Sequence, residues 1–516
     1  MTSDTSSFER TAQSFIRELR AVSWPVATPS DGREDRLSGE LLALMRAWDA
    51  QSPSALDEIV DGLCELALHQ DARRRDLGRQ LIFTSIAEHL ADSFEPDKAL
   101  LYDQLFARVI DYCRHRQTGR ALDLLLSRFG VTSADGLVAR KERLKRRHPL
   151  LMGERQRIRR VLVPSRVTLG ADVAVTSIIL QKVERVLPQA ECVVLGPIAV
   201  GELLEGTAQA VRFVDCPYHR RGGLVARLDS WVQLVDAVQR EIASHDAGSS
   251  LVLDPDSRLT QLGLLPLVQA EVPSFLFESR AYRRPDAETL GALTVHWLDD
   301  ILGPDDGGRL HPKVVPAKSL GVDARSVTRQ ARASGVGHVT ALTLGVGGNA
   351  RKRIAGRFEL DLVRALLSDG GAVILDKGID EEVERVEAII AALAEQGTRV
   401  VELDANPLGL PPGASGRLLV HQGGLRSLLA LVAASDLYVG YDSAFQHVAA
   451  ALAVPVIDIF VNPPNHLFGQ RWRPYSEAPV TVVEVVDAAT DVDGRDTLPR
   501  VLAAYRAHRT TSVDQR

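Results

Sequence analysis

Residues 429–464 read LALVAASDLYVGYDSAFQHVAAALAVPVIDIFVNPP. Leu437–Val439 is a short apolar run, as a buried strand requires, and Gly440 makes the turn after it. Asp442 and Ser443 stand where a helix opens, as N-cap and first-turn residues. The helix runs through His447 to Leu452, and a second apolar run, Val454–Phe460, follows. Strand, helix and strand in this order predict a parallel sheet. A helix N-terminus offers unpaired N–H groups and a positive dipole end, the two features that hold a phosphate. His447 lies a little over one turn in, near the face of Asp442 and Ser443. A core histidine and a plain helix cap are the simpler alternatives for these residues.

Working outward, the same grammar extends upstream to residue 161. Val161–Pro164, Glu191–Leu195, Val211–Val214, Leu251–Leu253, Val272–Phe277 and Leu293–His296 read as short apolar strands, with a helix over Asp172–Leu187. Leu310–Gly335 is mixed and turn-rich, and a domain junction is expected there. The pattern then restarts, with strands at His338–Leu344, Ala372–Leu375, Arg399–Leu403 and Arg417–His421 and helices at Arg357–Leu367 and Glu381–Glu395. Strands alternating with helices predict parallel sheets covered on both faces, with ligands at the carboxyl ends of the strands. The loop after His338–Leu344 is Gly-rich and basic, GVGGNARKR over Gly345–Arg353. Gly347 lets backbone N–H groups approach an anion, Lys352 supplies charge, and Asn349 can bond a phosphate or ribose. Lys377, at the end of the next strand, is a further candidate on the strand-end rule.

Before residue 150 the pattern is helical, with six or seven helices and no convincing strand. Three domains are expected: an all-helical one over 1–150, and αβ domains over 157–320 and 335–516. A basic stretch, Arg140 to Arg160, joins the first two. It reads as solvated surface or as a patch for an anionic membrane surface or a charged acceptor. The helical domain is expected to recruit a partner or such a surface. Across 516 residues, 61 basic and 67 acidic side chains give a net charge of −6, which gives no support to nucleic-acid binding. Four cysteines without a CxxC pair argue against a zinc ribbon and fit a reducing compartment. No signal-peptide core and no apolar run of about 18 residues occurs, so a cytoplasmic location is expected, with peripheral membrane contact open.

The stretch quoted first resembles glycosyltransferase family 9, the heptosyltransferases. Asp442, Ser443, His447, Pro455 and Phe460 match the family's pattern, while Ala444 and Val461 stand where it usually has Gly. Gly424–Ala434 resembles the preceding helix, and Lys352 matches the family's lysine after the first strand of this domain. Val161–Ser177 resembles the family's first strand and Gly-Asp loop, with Ala171 between Gly170 and Asp172. The resemblance covers roughly residues 157–510 as the boundaries are placed here.

It implies an α/β, GT-B architecture: two Rossmann-like domains facing a cleft, preceded here by the all-α domain. It implies an inverting transfer of a sugar from a nucleotide-diphosphate sugar, ADP-heptose first among candidates, to an acceptor hydroxyl. Asp172 would be the base. Gly347, Asn349, Lys352, Lys377, Asp442, Ser443 and His447 would hold the donor. Asp254, Asp256 and Arg258 would lie on the acceptor side. No metal site stands out in the donor domain and no cofactor is expected. The alternative is a GT-B scaffold or binding protein without catalysis.

Overall fold

A computed structural model describes residues 2–21, 32–48, 53–208, 210–219, 222–244, 247–333, 335–347, 349–411, 414 and 416–514. The chain divides into two compact units. One holds residues 1–149, 160–164 and 214–283; the other holds 150–159, 165–213 and 284–516.

In the first unit the described part of residues 2–145 is helical, as the periodicity predicts, and Gly130 (φ +70°) ends the helix Arg120–Arg128 as a stop. Three strands follow: β1 (Arg160–Pro164), β4 (Ser250–Asp254) and β5 (Ser274–Leu276), with β4 paired in parallel to both β1 and β5. Two strands intervene in sequence, β2 (Glu191–Gly196) in the second unit and β3 (Val211–Asp215) across the division.

The helices do not stand apart from these strands. Lys141, 3 % exposed, lies 2.8 Å from the Asp103 carboxylate and 3.3 Å from Glu278. Arg140 donates to the carbonyl of Gly263 (3.1 Å), and Arg147 donates to the carbonyls of Val272 and Ala270. Phe129 packs against Trp231. Arg160 donates to Glu241, also at 2.8 Å. The basic stretch therefore spends Arg140, Lys141, Arg147 and Arg160 on internal partners. A charge run reads as surface in a sequence because its partners lie far along the chain, from 38 residues for Asp103 to 125 for Val272.

The second unit is built on seven parallel strands: β6 (Val339–Thr343), β7 (Ala372–Asp376), β8 (Val400–Glu402), β11 (Leu418–His421), β12 (Leu437–Tyr441), β13 (Val456–Val461) and β14 (Val480–Val485). Their order is β14-β13-β12-β6-β7-β11-β8; a small antiparallel pair, β9 (Asp404–Ala405) and β10 (Leu408–Gly409), lies outside it. Both faces are buried. Leu342, Val373, Leu437, Val439 and Ile457 point into one core, and Ala341, Ala372, Ile374, Tyr438 and Val456 into cores on the other face. The chain runs from β6 to β7 on one side and returns at β12 on the other. The order reverses between β6 and β12, where open parallel sheets bind ligands.

Two expectations are corrected. Leu293–His296 is not a strand but lies inside the helix Leu290–Leu302, opened by Thr289, whose hydroxyl accepts from Ala292 N–H. A short apolar run cannot separate a buried helix from a strand. The turn-rich junction contains the helix Lys318–Ala333, whose buried face is Gly321, Ala324, Val327, Thr328 and Ala331. That stripe has helical spacing, but its small residues carry little apolar signal.

Lys141 tests how firmly the helices are bound in. Lys141→Met leaves Asp103 and Glu278 without their buried cation. The unfolding free energy in denaturant titration is expected to fall by about 3–5 kcal/mol.

Candidate functional site

The switch point of the seven-stranded sheet gathers the charged residues. β6 leads into the loop that carries Lys352, in a single turn over Ala350–Lys352. Asn349 caps that turn by accepting from Arg351 N–H (3.2 Å), and Asn462 Nδ2 donates to the Arg351 carbonyl (2.7 Å). Gly347 takes φ +63°, a left-handed conformation that glycine adopts without strain. Lys352 Nζ reaches 2.5 Å from Asp442 Oδ2, across the ends of β6 and β12. Its ammonium also lies 5.6 Å from the Phe468 ring centre.

The helix after β12 is Ala444–Ala451, with Ser443 at its N-cap in extended conformation. Ser443 makes no capping hydrogen bond; its hydroxyl bonds Tyr438, which is 2.6 Å from Thr343 Oγ1. Gly440 is required here, because a Cβ would run into the Tyr438 hydroxyl. The first-turn N–H groups of the helix are thus without a side-chain cap, as an anion site needs. Asp442 precedes the N-cap, one residue earlier than the spacing suggests. It accepts from Gln446 Nε2 at 2.8 Å.

His447 is buried, and burial pushes it down to about 4, against the pull of Asp442. Its ring meets Trp472 edge-on. On the other side it meets Gly170, where a Cβ would lie 3.0 Å from His447 Cδ2 and 3.1 Å from Ala444 Cα. The turn Leu169–Ala171 therefore packs on this helix, and glycine is what permits the approach.

Asp172 follows directly, inside a helical segment rather than at an N-cap. It is fully buried. Oδ1 accepts from Arg166 N–H (2.9 Å) and Thr176 Oγ1 (2.7 Å), and Oδ2 accepts from Ser165 Oγ (2.7 Å). Burial raises its carboxyl above the ordinary range; the three hydrogen bonds oppose the rise.

The structure thus brings Lys352, Asp442, Ser443 and His447 together, with Asp172 beside Gly170. Lys377 is not among them. It is bound to Glu402 (3.1 Å), Glu387 (3.3 Å) and Gln422 (3.3 Å) at the ends of β7 and β8. Asp254 and Asp256 lie in the first unit and organise a loop. Asp254 accepts from Ser257 N–H and Thr260 Oγ1, and burial pushes it up to about 6. Asp256 pairs with Arg280 and accepts from Ser279 Oγ. Arg258 makes no side-chain hydrogen bond or ion pair among the described residues.

Apart from Asp376, which stands at a strand end, several further residues carry no signal in the sequence. Glu382 accepts from Val346 N–H (3.1 Å), so a carboxylate already occupies part of the Gly-rich loop. Asp376, His421 and Ser427 form a hydrogen-bonded line, at 2.7 and 2.8 Å. Ser427 Oγ donates to the Gly424 carbonyl, which makes this a turn clasp and not an activated nucleophile. Asp458 on β13 is fully buried, and among the described residues neither of its oxygens has a hydrogen-bond partner. Burial and then Asp442 raise its carboxyl well above the usual range, against Lys352 and Arg473. Among the described residues no group of three His, Cys, Asp or Glu side chains could hold a metal ion, and no helix is long and apolar enough to cross a membrane.

Residues 358–500 match the model of glycosyltransferase family 9 (heptosyltransferase). No curated protein matches the sequence. Among solved structures, a family 9 glycosyltransferase from Veillonella parvula is 15 % identical, covering 66 % of this chain and 89 % of that one at a TM-score of 0.46. The Escherichia coli ADP-heptose lipopolysaccharide heptosyltransferase II is 15 % identical, covering 68 % and 100 % at 0.42. E. coli heptosyltransferase WaaC with ADP is 12 % identical, covering 68 % and 99 % at 0.42.

Asp458 predicts a pH signature. A carboxyl whose folded value is raised favours folding below the unfolded value and loses that advantage as pH rises toward the folded one. Stability of the natural protein is expected to fall as pH increases above about 4. Asp458→Asn, which takes no charge, should be the more stable at pH 8 by about 1–3 kcal/mol, with the gap closing at pH 4 in paired denaturant titrations.

Proposed function

We propose that the protein moves a sugar from a nucleotide-diphosphate sugar to an acceptor hydroxyl with inversion and without a metal, a reading that the match of residues 358–500 to the glycosyltransferase family 9 model supports. The observation that carries this reading is the pairing of Lys352 with Asp442 beside the uncapped N-terminus of Ala444–Ala451. An ammonium and free N–H groups aimed at one place stabilise the charge that develops on a departing diphosphate. In this reading the diphosphate takes Lys352 from Asp442 and bonds the first-turn N–H groups. Gly347 and Asn349 hold the Lys352 turn in place; Ser443, held by Tyr438, leaves the helix end open. His447 is neutral, and its part is to pack the turn Leu169–Ala171 on the donor helix. Lys377 keeps its carboxylate partners. ADP-heptose is the first donor to test, as the family resemblance implies.

Asp172 is the proposed base. Burial raises its proton affinity, and Oδ2 accepts one hydrogen bond where a carboxylate oxygen can accept two. Gly170, two residues before it, touches the donor helix. The acceptor-side assignment of Asp254, Asp256 and Arg258 rests on the resemblance of the loop after β4 to the family's acceptor-side loop. The two αβ domains facing a cleft, residues 157–320 and 335–516, belong to the same proposal.

Lys352→Ala is expected to weaken binding of a nucleoside diphosphate by about 1.5–3 kcal/mol, roughly 10–150-fold, in calorimetry. Unchanged affinity removes Lys352 from the site. Asp172→Asn keeps the shape of the side chain but cannot take a proton. Transfer should slow by about 10²–10⁴-fold with the fold retained. A near-normal rate places the base elsewhere.

A further inference from the structure

The helix Ala444–Ala451 covers a buried carboxyl that the transfer does not use. Asp458 on β13 stands opposite Gly440 on β12, in parallel register. Tyr438 and Val456, two residues earlier on each strand, face the core that also holds Ala449 and Ala450 of this helix. Side chains alternate along a strand, so Asp458 and Gly440 face the helix as well. The ladder runs one residue past β12, where Asp442 N–H donates to the Ile459 carbonyl at 3.2 Å. Asp442 comes two residues after Gly440 and so lies on the same face. Adjacent strands are about 4.8 Å apart, which makes Asp442 and Asp458 diagonal neighbours under one helix.

The hydrogen-bond donors around this point are committed. Gln446 Nε2 donates to Asp442 Oδ1 at 2.8 Å, and Lys352 Nζ to Asp442 Oδ2 at 2.5 Å. The Tyr438 hydroxyl is shared with Thr343 and Ser443. His447, buried and neutral, has Nε2 3.5 Å from Gln446 Nε2. On the other flank, β14 places Val482 opposite Asp458. Three buried oxygens are left with no hydrogen-bond partner among the described residues: both of Asp458, and Gln446 Oε1. A carboxylate ion without a donor is too costly to bury, so the group keeps its proton. The charges that reach it agree: burial and then Asp442 favour the proton, against Lys352 and Arg473. One proton changes the count, because a carboxylic acid is a donor and the oxygens of Asp442 and Gln446 are the acceptors at hand.

We propose that Asp458 is a positioning residue of the donor site: as a neutral acid it donates its O–H into the Asp442–Gln446 pair and holds Asp442 in place when a diphosphate takes Lys352. The inference rests on the reading of Lys352 and Asp442 as the diphosphate site. In that exchange Asp442 loses its cation just as more negative charge arrives. Neutral Asp458 adds no charge and supplies a donor where the ammonium was. Ionised Asp458 adds a like charge beneath Asp442 and opposes the diphosphate. Donor affinity therefore belongs to the protonated form and is lost as pH rises through the titration of Asp458.

The test uses the full chain, with ADP as the probe and two variants. Asp458→Asn keeps the shape and an N–H donor but has no proton to lose; Asp458→Leu keeps the volume and has no donor. The infrared difference between the natural chain and Asp458→Asn at pH 7 should show the carbonyl stretch of a protonated carboxyl. In calorimetry at pH 7, Asp458→Leu should bind ADP about tenfold more weakly than the natural chain, and Asp458→Asn should restore most of that loss. Over the pH range in which the infrared band fades, the natural chain should lose about tenfold in ADP affinity relative to Asp458→Asn. The protonation of ADP itself is common to both proteins and cancels in the ratio. Melting curves report whether each variant is folded, and the pH comparison with Asp458→Asn decides the matter alone if Asp458→Leu does not fold. Lys352→Ala separates the two readings. If it weakens ADP while the infrared band is absent, or while folded Asp458→Leu binds as the natural chain does, the donor site stands and the role of Asp458 is overturned. If Lys352→Ala leaves ADP affinity unchanged, the donor reading fails and takes this role with it.

Discussion

The ion pair between Lys352 and Asp442 joins the two strands at which the large sheet reverses its order. β6 ends at Thr343 and β12 at Tyr441, and each hands its charged residue to the same point. Everything around that point supports the pair. Asn349 and Asn462 fix the turn that carries Lys352. Gln446 fixes Asp442 from one turn along the helix. Tyr438 draws the Ser443 hydroxyl away from the helix end. A carboxylate that holds an ammonium keeps the cation in position, so at the proposed donor site little ordering would remain to be done on binding.

The same place shows polar groups left without partners. Asp458 and the Gln446 side-chain carbonyl are buried and have no hydrogen-bond partner among the described residues. Buried orphans cost stability, and proteins keep them mainly near functional sites. The stability cost at Asp458 arises because burial and Asp442 act in the same direction on its proton, while Lys352, which opposes them, is already paired with Asp442.

Much of the fold is legible in the sequence because buried parallel strands are short, continuous apolar runs bounded by turns. Leu437–Val439, Ala372–Leu375 and Val161–Pro164 are all found as strands. Leu293–His296 fails for the same reason it looked convincing, since a short run carrying Leu293 and Val295 fits a buried helix equally well. The helix Lys318–Ala333 hides behind glycine, alanine and threonine on its buried face. At the site, Lys352, Asp442 and His447 are readable as residue types at loop and helix starts. Glu382, Gln446 and Asp458 are not, because nothing local distinguishes a glutamate on a helix or an aspartate in a strand. Their roles come from the fold bringing distant segments together. The fate of Arg140 to Arg160 is hidden in the same way.

The central claim is that this chain transfers a sugar from a nucleotide-diphosphate donor. The most direct measurement is release of free nucleoside diphosphate from a panel of nucleotide sugars, ADP-heptose included, with and without cell extract as acceptor source. The account predicts release that requires both the protein and the extract, for one donor, and that drops sharply in Lys352→Ala. No release above the protein-free control with any donor, from a folded protein that binds nucleoside diphosphate, would contradict it and leave a nucleotide-binding scaffold.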